Sequence, residues 1–171
     1  MTTTLSGYGI SASIPKGFEG RITRLDPVDP LSSHAHAVGS SIGIGIETTQ
    51  PFIHIANVPL TQTRETFGGS VVDTLNANHV FLALIEYGPE CVGTNLFSRL
   101  GLPRSISPQS FSRSRLQRIV PGQSGHQSFF THNGRAFCLY IVAGSYARVG
   151  SMVHHVNRIL RSISISSSLH Q

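Results

Sequence analysis

Charged and large aromatic residues are scarce in this sequence. Asp, Glu, Lys and Arg make up 12% of it, about half of the roughly 25% that is usual in a globular domain. It contains a single lysine, Lys16, and no tryptophan. Domains that bind nucleic acid combine basic patches with aromatic platforms, and the sequence has no such combination. Nucleic acid is therefore disfavoured as a partner, although the sequence pI is near 9.9.

Long hydrophobic runs are missing as well. Apolar runs such as Val80 to Ile85 are far shorter than the ~18 residues that a membrane-spanning helix requires. Residues 1–15 are rich in Thr and Ser and lack a basic start followed by an apolar block, so they do not resemble a secretory signal peptide. We expect no membrane span and a cytoplasmic location.

Cysteine is limited to Cys91 and Cys138. Two cysteines cannot form a framework of several disulfides, and these two lack the paired spacing of a metal site. Cys138 lies within the apolar run Phe137 to Val142, where a free thiol behaves as a small hydrophobic group. We expect both thiols to be reduced, buried and structural rather than nucleophilic.

The charges that do occur are unevenly distributed. All eight carboxylates lie in residues 1–90 beside four basic residues, which gives 4 − 8 = −4. Residues 91–171 contain nine arginines and no carboxylate, which gives +9. Such asymmetry indicates an anionic partner, unless the two halves neutralise each other within the fold.

The N-terminal residues predict a hairpin. Apolar Ile10, Ala12 and Ile14 alternate with polar residues, which is typical of a strand with one buried face. The sequence predicts that residues 21–25 return as the partner strand across a loop over residues 15–20. In the middle of the chain, the pattern predicts a strand over 52–58, a short helix over 70–75, a central strand over 79–87 and a helix over 92–100 that ends at Gly101.

The C-terminal residues carry the clearest local signals. Asn133-Gly134 is the dipeptide best suited to a two-residue type I′ turn, and it predicts a hairpin of strands over 126–132 and 135–143. Ser145 is predicted to cap a helix whose apolar residues recur at three- and four-residue steps. Alternating Ile and Ser after that helix predict a short closing strand around Ile163 and Ile165.

These elements predict an α+β fold, with a largely antiparallel sheet, a C-terminal amphipathic helix and short additional helices. No repeat or low-complexity linker divides the chain, so we expect a single domain over residues 1–171. The prolines and the Gly/Ser/His-rich composition of residues 26–50 predict a flexible loop.

Two parts of the sequence resemble PsbP-like domains. Tyr8 to Phe18 is similar to the opening of such domains, where an aromatic-Gly strand leads into a proline and a Gly-aromatic pair. The strand, helix and Ser-Ile strand predicted between Arg135 and Ile165 are similar to their end. Phe81 to Glu90 and Gly134 to Tyr140 resemble an uncharacterised family from high-GC bacteria. The PsbP-like resemblance implies a domain that binds or organises other proteins, and it transfers no functional residue to this chain.

Candidate chemistry is sparse, and the sequence predicts no catalytic residue and no cofactor. His34 and His36 would share one face of a strand and are weak candidates for a metal site, since two ligands do not complete one. Glu86 and Glu90 flank a Gly-Pro turn at the end of the predicted central strand. With His79 they define an alternative hypothesis, a small-ligand-binding protein or an enzyme with a pocket near these residues.

An arginine-rich segment is the leading candidate site. Five arginines occur within twenty residues that contain no carboxylate: Arg99, Arg104, Arg113, Arg115 and Arg118. Guanidinium groups suit carboxylate and phosphate, so this segment is expected to bind an anion or an acidic partner, unless it pairs with carboxylates within the fold. The leading hypothesis is a non-catalytic protein-interaction or assembly module. The sequence leaves homo-oligomerisation open.

Overall fold

The fold was analysed in a computed structural model, which describes residues 2–25 and 50–167. It confirms the predicted α+β class, with antiparallel strands in two sheets, one C-terminal helix and several short helical turns. The loop predicted over 26–50 lies outside the described residues except for Gln50. His34 and His36 lie outside them as well.

The larger sheet has five antiparallel strands in the order β3-β4-β5-β7-β6. Their bounds are β3 Glu19–Thr23, β4 Phe52–Ala56, β5 Val80–Tyr87, β6 Ser124–His132 and β7 Arg135–Ala143. β5 occupies the middle position, and all eight of its residues are buried, as the apolar run predicted. β6 and β7 form the predicted hairpin, in which Asn133 and Gly134 have φ values of 50° and 74°. β6 therefore forms one edge of this sheet.

The smaller sheet joins the two ends of the described chain. It contains β1 Thr3–Gly7, β2 Ile10–Ile14 and β8 Ser164–Ile165 in the order β1-β2-β8. β2 is central, pairing with β1 on one side and with β8 on the other.

The hairpin predicted between β2 and residues 21–25 is wrong. β2 pairs with β1 through a turn at Tyr8 and Gly9. The φ values of these residues, 52° and 75°, are close to those of Asn133 and Gly134 in the turn between β6 and β7. β3 instead joins the larger sheet beside β4. A tyrosine in the left-handed region is uncommon, so the sequence does not indicate this turn. A Cβ on Gly9 would also crowd Oγ of Ser166, so space as well as conformation favours glycine at this position.

Alternate residues of the larger sheet face two separate hydrophobic cores. In β5, Leu82 and Leu84 belong to the core beneath the C-terminal helix and the smaller sheet. Phe81, Ala83 and Ile85 belong to the second core. Residues between β4 and β5 and residues between β5 and β6 cover this core. The sheet therefore lies between two layers and is buried on both faces.

The helices agree with the sequence in part. α1 Ser70–Asp73 lies within the short helix that was predicted over 70–75. α2 Val149–Ser162 buries the predicted apolar stripe, although it starts after a 3-10 turn over Tyr146–Arg148 and Ser145 makes no side-chain cap. The helix predicted over 92–100 is wrong, because only Asn95–Phe97 forms a 3-10 turn. None of the helices in the described ranges has the length and apolar character needed to cross a membrane.

Candidate functional site

The arginine-rich segment is fastened along the outer edge of β6 at two points. Near the C-terminal end of β6, the N–H of Thr131 donates to the carbonyl of Arg99 at 2.8 Å, and its carbonyl accepts from Gly101 at 2.8 Å. Near the other end, Ser112 and Gly125 exchange two hydrogen bonds of 2.9 Å. Because residues 99–101 are extended where they pair with Thr131, no helix reaches Leu100.

Between the two attachment points, the described residues leave the edge of β6 open. Successive residues of a strand direct their backbone groups to opposite sides, and Gly125 and Thr131 bond outward, so Gln127 and Phe129 do as well. The carbonyl of Gln127 accepts Nη1 of Arg115 at 3.0 Å. Within residues 2–25 and 50–167, the N–H of Gln127 and both backbone groups of Phe129 have no hydrogen-bond partner.

Burial along β6 agrees with this open interval. Residues 124–126 and 130–131 are buried, whereas residues 127–129 are half-exposed. Backbone groups at such an edge can pair with another extended chain, which is why natural proteins usually cover or charge them. We call residues 127–129 the open interval of β6.

Three of the five predicted arginines bind groups within the fold. Arg104 donates from Nη1 to the carbonyls of Leu160 and Ile163, at 3.1 and 2.6 Å, and so satisfies the C-terminal end of α2. Arg118 forms an exposed ion pair with Asp73. Arg115 bonds the carbonyl at the open interval.

The remaining two arginines, Arg99 and Arg113, have exposed side chains at the two attachment points of the segment. In the described parts of the chain, neither guanidinium forms an ion pair or a hydrogen bond. Among the described residues, a carboxylate therefore neutralises only Arg118 of this segment. The open interval has exposed basic side chains near both of its ends, with Arg115 between them.

A chain of side-chain hydrogen bonds lies beside the open interval. Ser110 donates its hydroxyl to the carbonyl of Ser107 at 2.8 Å, so its oxygen accepts from Nδ1 of His126 at 3.0 Å. Nε2 of His126 is then the acceptor for the hydroxyl of Ser128 at 3.2 Å. Burial lowers the pKa of His126, and the positive charge of Arg115 lowers it further, which favours the neutral imidazole. Sequence reasoning missed this group, whose only signal is the two-residue spacing on one strand face.

The alternative pocket near His79, Glu86 and Glu90 is not assembled. His79 directly precedes β5 and accepts the N–H of Asn76 at Nδ1, whereas Glu86 lies near the other end of the strand. Seven residue steps along the extended chain place them about 23 Å apart. Glu90 is exposed in the 3-10 turn Pro89–Cys91. The structure therefore does not bring His79 and Glu86 together, and a pocket formed near them stays a prediction.

Glu86 instead forms a buried ion pair with Arg135, a residue that sequence reasoning did not select. Nε and Nη2 of Arg135 donate to the two carboxylate oxygens at 2.9 and 2.7 Å. The same guanidinium donates to the carbonyls of Tyr8 and Ser166, at 2.9 and 3.2 Å. Arg135 therefore joins the Tyr8–Gly9 turn and the end of β8 to the larger sheet. Its sequence signal is a single arginine at the start of an otherwise apolar strand.

Metal and thiol chemistry find little support in the described residues. No group of three or more His, Cys, Asp or Glu side chains in residues 2–25 and 50–167 could hold a metal ion. Cys91 and Cys138 are free and buried, as predicted. Burial raises the pKa of Cys138 to about 12, which disfavours its thiolate.

One cavity of about 240 Å³ lies between Thr23–Leu25 and Gln62–Arg64.

Comparison with known proteins gives no family assignment. Protein-family models, curated proteins and solved structures all fail to match this chain at a significant level.

Proposed function

We propose that this protein is a non-catalytic interaction module that binds an acidic segment of another protein through the arginine-rich segment at the edge of β6. The observation that carries the proposal is the coincidence of the open interval with exposed basic side chains. Arg99 and Arg113 lie at the attachment points, and Arg115 bonds within the interval. Guanidinium groups bind carboxylates through charge-assisted hydrogen bonds, and here no carboxylate of the described chain meets Arg99 or Arg113.

The residue types of the arginine-rich segment favour a protein partner over nucleic acid. The segment contains arginine but no lysine and no tryptophan, and its exposed apolar residue Leu100 is aliphatic. Single-stranded nucleic acid is usually bound by aromatic side chains on which the bases stack, in a groove that follows the backbone. An exposed leucine beside arginine suits a mixed acidic and apolar peptide better.

The binding of poly-L-glutamate tests the proposal. The double variant Arg99→Gln/Arg113→Gln is expected to bind fluorescently labelled polymer roughly tenfold more weakly than the wild type at low salt. The matched control is Arg158→Gln/Arg161→Gln, which removes the same charge from exposed positions on α2 and is expected to bind like the wild type. Equal weakening by both variants would show binding by net charge alone and contradict the proposal. So would tighter binding of single-stranded DNA than of the polymer.

A second candidate function, acyl transfer at Ser128, is favoured by the bond from its hydroxyl to neutral His126. A serine whose proton is held by a neutral imidazole is the first part of a nucleophile and base pair. A fluorophosphonate probe tests it: the Ser128 oxygen would bond phosphorus, His126 would take the proton, and fluoride would leave. Labelling that is lost in Ser128→Ala but kept in Ser112→Ala would support this function. The proposed interaction module predicts no labelling.

A further inference from the structure

We infer that the acidic partner binds as an added strand, paired through its backbone with the open interval of β6. This inference rests on the proposed function and specifies how the same edge recognises its partner. The occupant is an extended peptide segment with carboxylates toward its ends. Affinity in such complexes comes from backbone hydrogen bonds, and specificity comes from the flanking side chains.

The spacing of the attachment points sets the length of the added strand. Thr131 follows Gly125 by six residue steps along β6, or about 20 Å. Their outward groups are already bonded to Ser112 and to the Arg99–Gly101 stretch. A partner can therefore pair with Gln127 and Phe129 only, over about four of its own residues. Longer strands would displace an attachment point.

Phe129 provides the main pairing position. Its N–H and C=O both point outward without a partner among the described residues, so one partner residue can exchange two hydrogen bonds with it. Its ring packs in the second core against Phe97, with centroids 5.5 Å apart, and remains half-exposed. The partner residue opposite Phe129 is therefore expected to be apolar or β-branched.

Arg115 occupies part of the site in the free protein. Its Nη1 donates to the carbonyl of Gln127, in the position that the N–H of an added strand would take. A partner N–H can replace this bond without leaving the carbonyl unsatisfied. The released guanidinium is then free to bind a partner carboxylate, so strand pairing and charge pairing occur together.

The same charges disfavour a second copy of this chain as the occupant. Edge pairing of two β6 strands would bring Arg99, Arg113 and Arg115 of one copy close to the same residues of the other. Like charges placed opposite each other across a strand pair are destabilising. An acidic segment relieves this repulsion, whereas a second copy creates it.

Peptides with matched charge test the inference. The probe is a capped peptide of about nine residues with a Thr-Val-Thr centre and glutamates on both sides. Two derivatives are N-methylated on alternate central residues, one on the odd-numbered residues and the other on the even-numbered residues. Because successive N–H groups of a strand point to opposite sides, only one derivative loses the N–H groups that face β6. That derivative should bind roughly tenfold more weakly, and the other should bind like the parent.

Amide hydrogen exchange of this protein provides the second readout. The amides of Gln127 and Phe129 are expected to exchange quickly in the free protein and to be protected when the parent peptide is bound. The amides of Gly125 and Thr131 should be protected in both states, because they are bonded to the arginine-rich segment.

The outcomes separate the two proposals. Equal binding of both N-methylated derivatives, without protection of Phe129, would overturn strand addition and leave the interaction module standing. Equal binding of the parent peptide to wild type and Arg99→Gln/Arg113→Gln would overturn the proposed function itself. Concentration-dependent dimerisation of the free protein that protects Phe129 would assign the edge to a second copy and overturn the inference.

Discussion

Arg135 and the arginine-rich segment show two different uses of the same side chain. The guanidinium of Arg135 is buried, bonds both carboxylate oxygens of Glu86 and reaches two backbone carbonyls. Along residues 99–118, Arg99 and Arg113 are exposed and pair with no carboxylate of the residues that the structure describes. The ion pair of Arg118 with Asp73 is exposed too. Burial together with a bidentate partner makes an arginine structural, whereas an exposed position leaves it available to a ligand.

Removal of Arg135 should have the largest effect on stability. Arg135→Met leaves the carboxylate of Glu86 buried without its guanidinium and should lower the free energy of unfolding by about 3–5 kcal/mol. Urea denaturation measures this change. The double variant Arg135→Met/Glu86→Leu should recover part of the loss, because it removes the buried charge as well. A loss below about 1 kcal/mol in the single variant would contradict the structural role of this pair.

His54 is a second buried side chain that can carry a positive charge, and its hydrogen-bond partner is a backbone carbonyl rather than a carboxylate. It lies between the rings of Phe52 and Phe81 and donates from Nε2 to the carbonyl of Thr66 at 2.7 Å. Burial lowers its pKa to about 4, so the unfolded chain binds more protons between that value and the ordinary 6.5. This contribution is complete above pH 6.5 and is lost as the pH falls toward 4.

The expected loss from His54 is about 2 kcal/mol between pH 7 and pH 5. Since the pKa values of His126, His132 and His155 are also lowered, the comparison is between wild type and His54→Gln over the same range. The variant should be less stable at pH 7, and its stability should fall less on acidification. Parallel curves for the two proteins would show that His54 is not the group responsible.

Arg104 should have an intermediate effect, because it bonds carbonyls rather than a carboxylate. Arg104→Gln removes both bonds to the C-terminal end of α2 and should cost about 1–2 kcal/mol in chemical denaturation. Arg99→Gln is the matched control, since Arg99 makes no side-chain bond in the described chain and its loss should leave the midpoint unchanged. Equal midpoints for the two variants would remove the distinction between these arginines.

The smallest effects on stability are expected at Arg113 and Arg118. Both side chains are exposed, and an exposed ion pair such as that of Arg118 with Asp73 contributes little. Thermal denaturation of Arg113→Gln and Arg118→Gln should match the wild type within error. Binding of poly-L-glutamate should nevertheless weaken in Arg113→Gln more than in Arg118→Gln, because Arg118 already has a carboxylate. The reverse order would place the acidic partner elsewhere.

The sequence predicted the elements that are determined locally. The hairpin at Asn133-Gly134, the central strand β5 and the apolar stripe of α2 follow from turn chemistry and periodicity. The first hairpin was missed because Tyr8 adopts a left-handed conformation that depends on its surroundings, including the bond from Arg135 to its carbonyl. The helix predicted over 92–100 is wrong at its C-terminal end because pairing with Thr131 extends the chain at residues 99–101.

The sequence predicted which residues the candidate site contains but not what those residues contact. The arginines of residues 99–118 were identified as a group, but their different roles depend on groups that are distant in sequence. Arg104 meets the end of α2, and Arg115 meets β6, at positions that no local pattern indicates. The open interval could not be foreseen either, because it depends on where the segment is fastened to the edge.

The position of β2 has a consequence for the order in which the chain can fold. Its partner β8 follows more than 150 residues later, with Ile10 opposite Ile165. During synthesis from the N-terminus, the β1–β2 hairpin can form early, but one side of β2 has no partner until the end of α2 has been made. During synthesis the smaller sheet therefore cannot be completed before β8 has been made. Closing the chain between β2 and β8 costs more loop entropy than closing the two-residue turn of the β6–β7 hairpin.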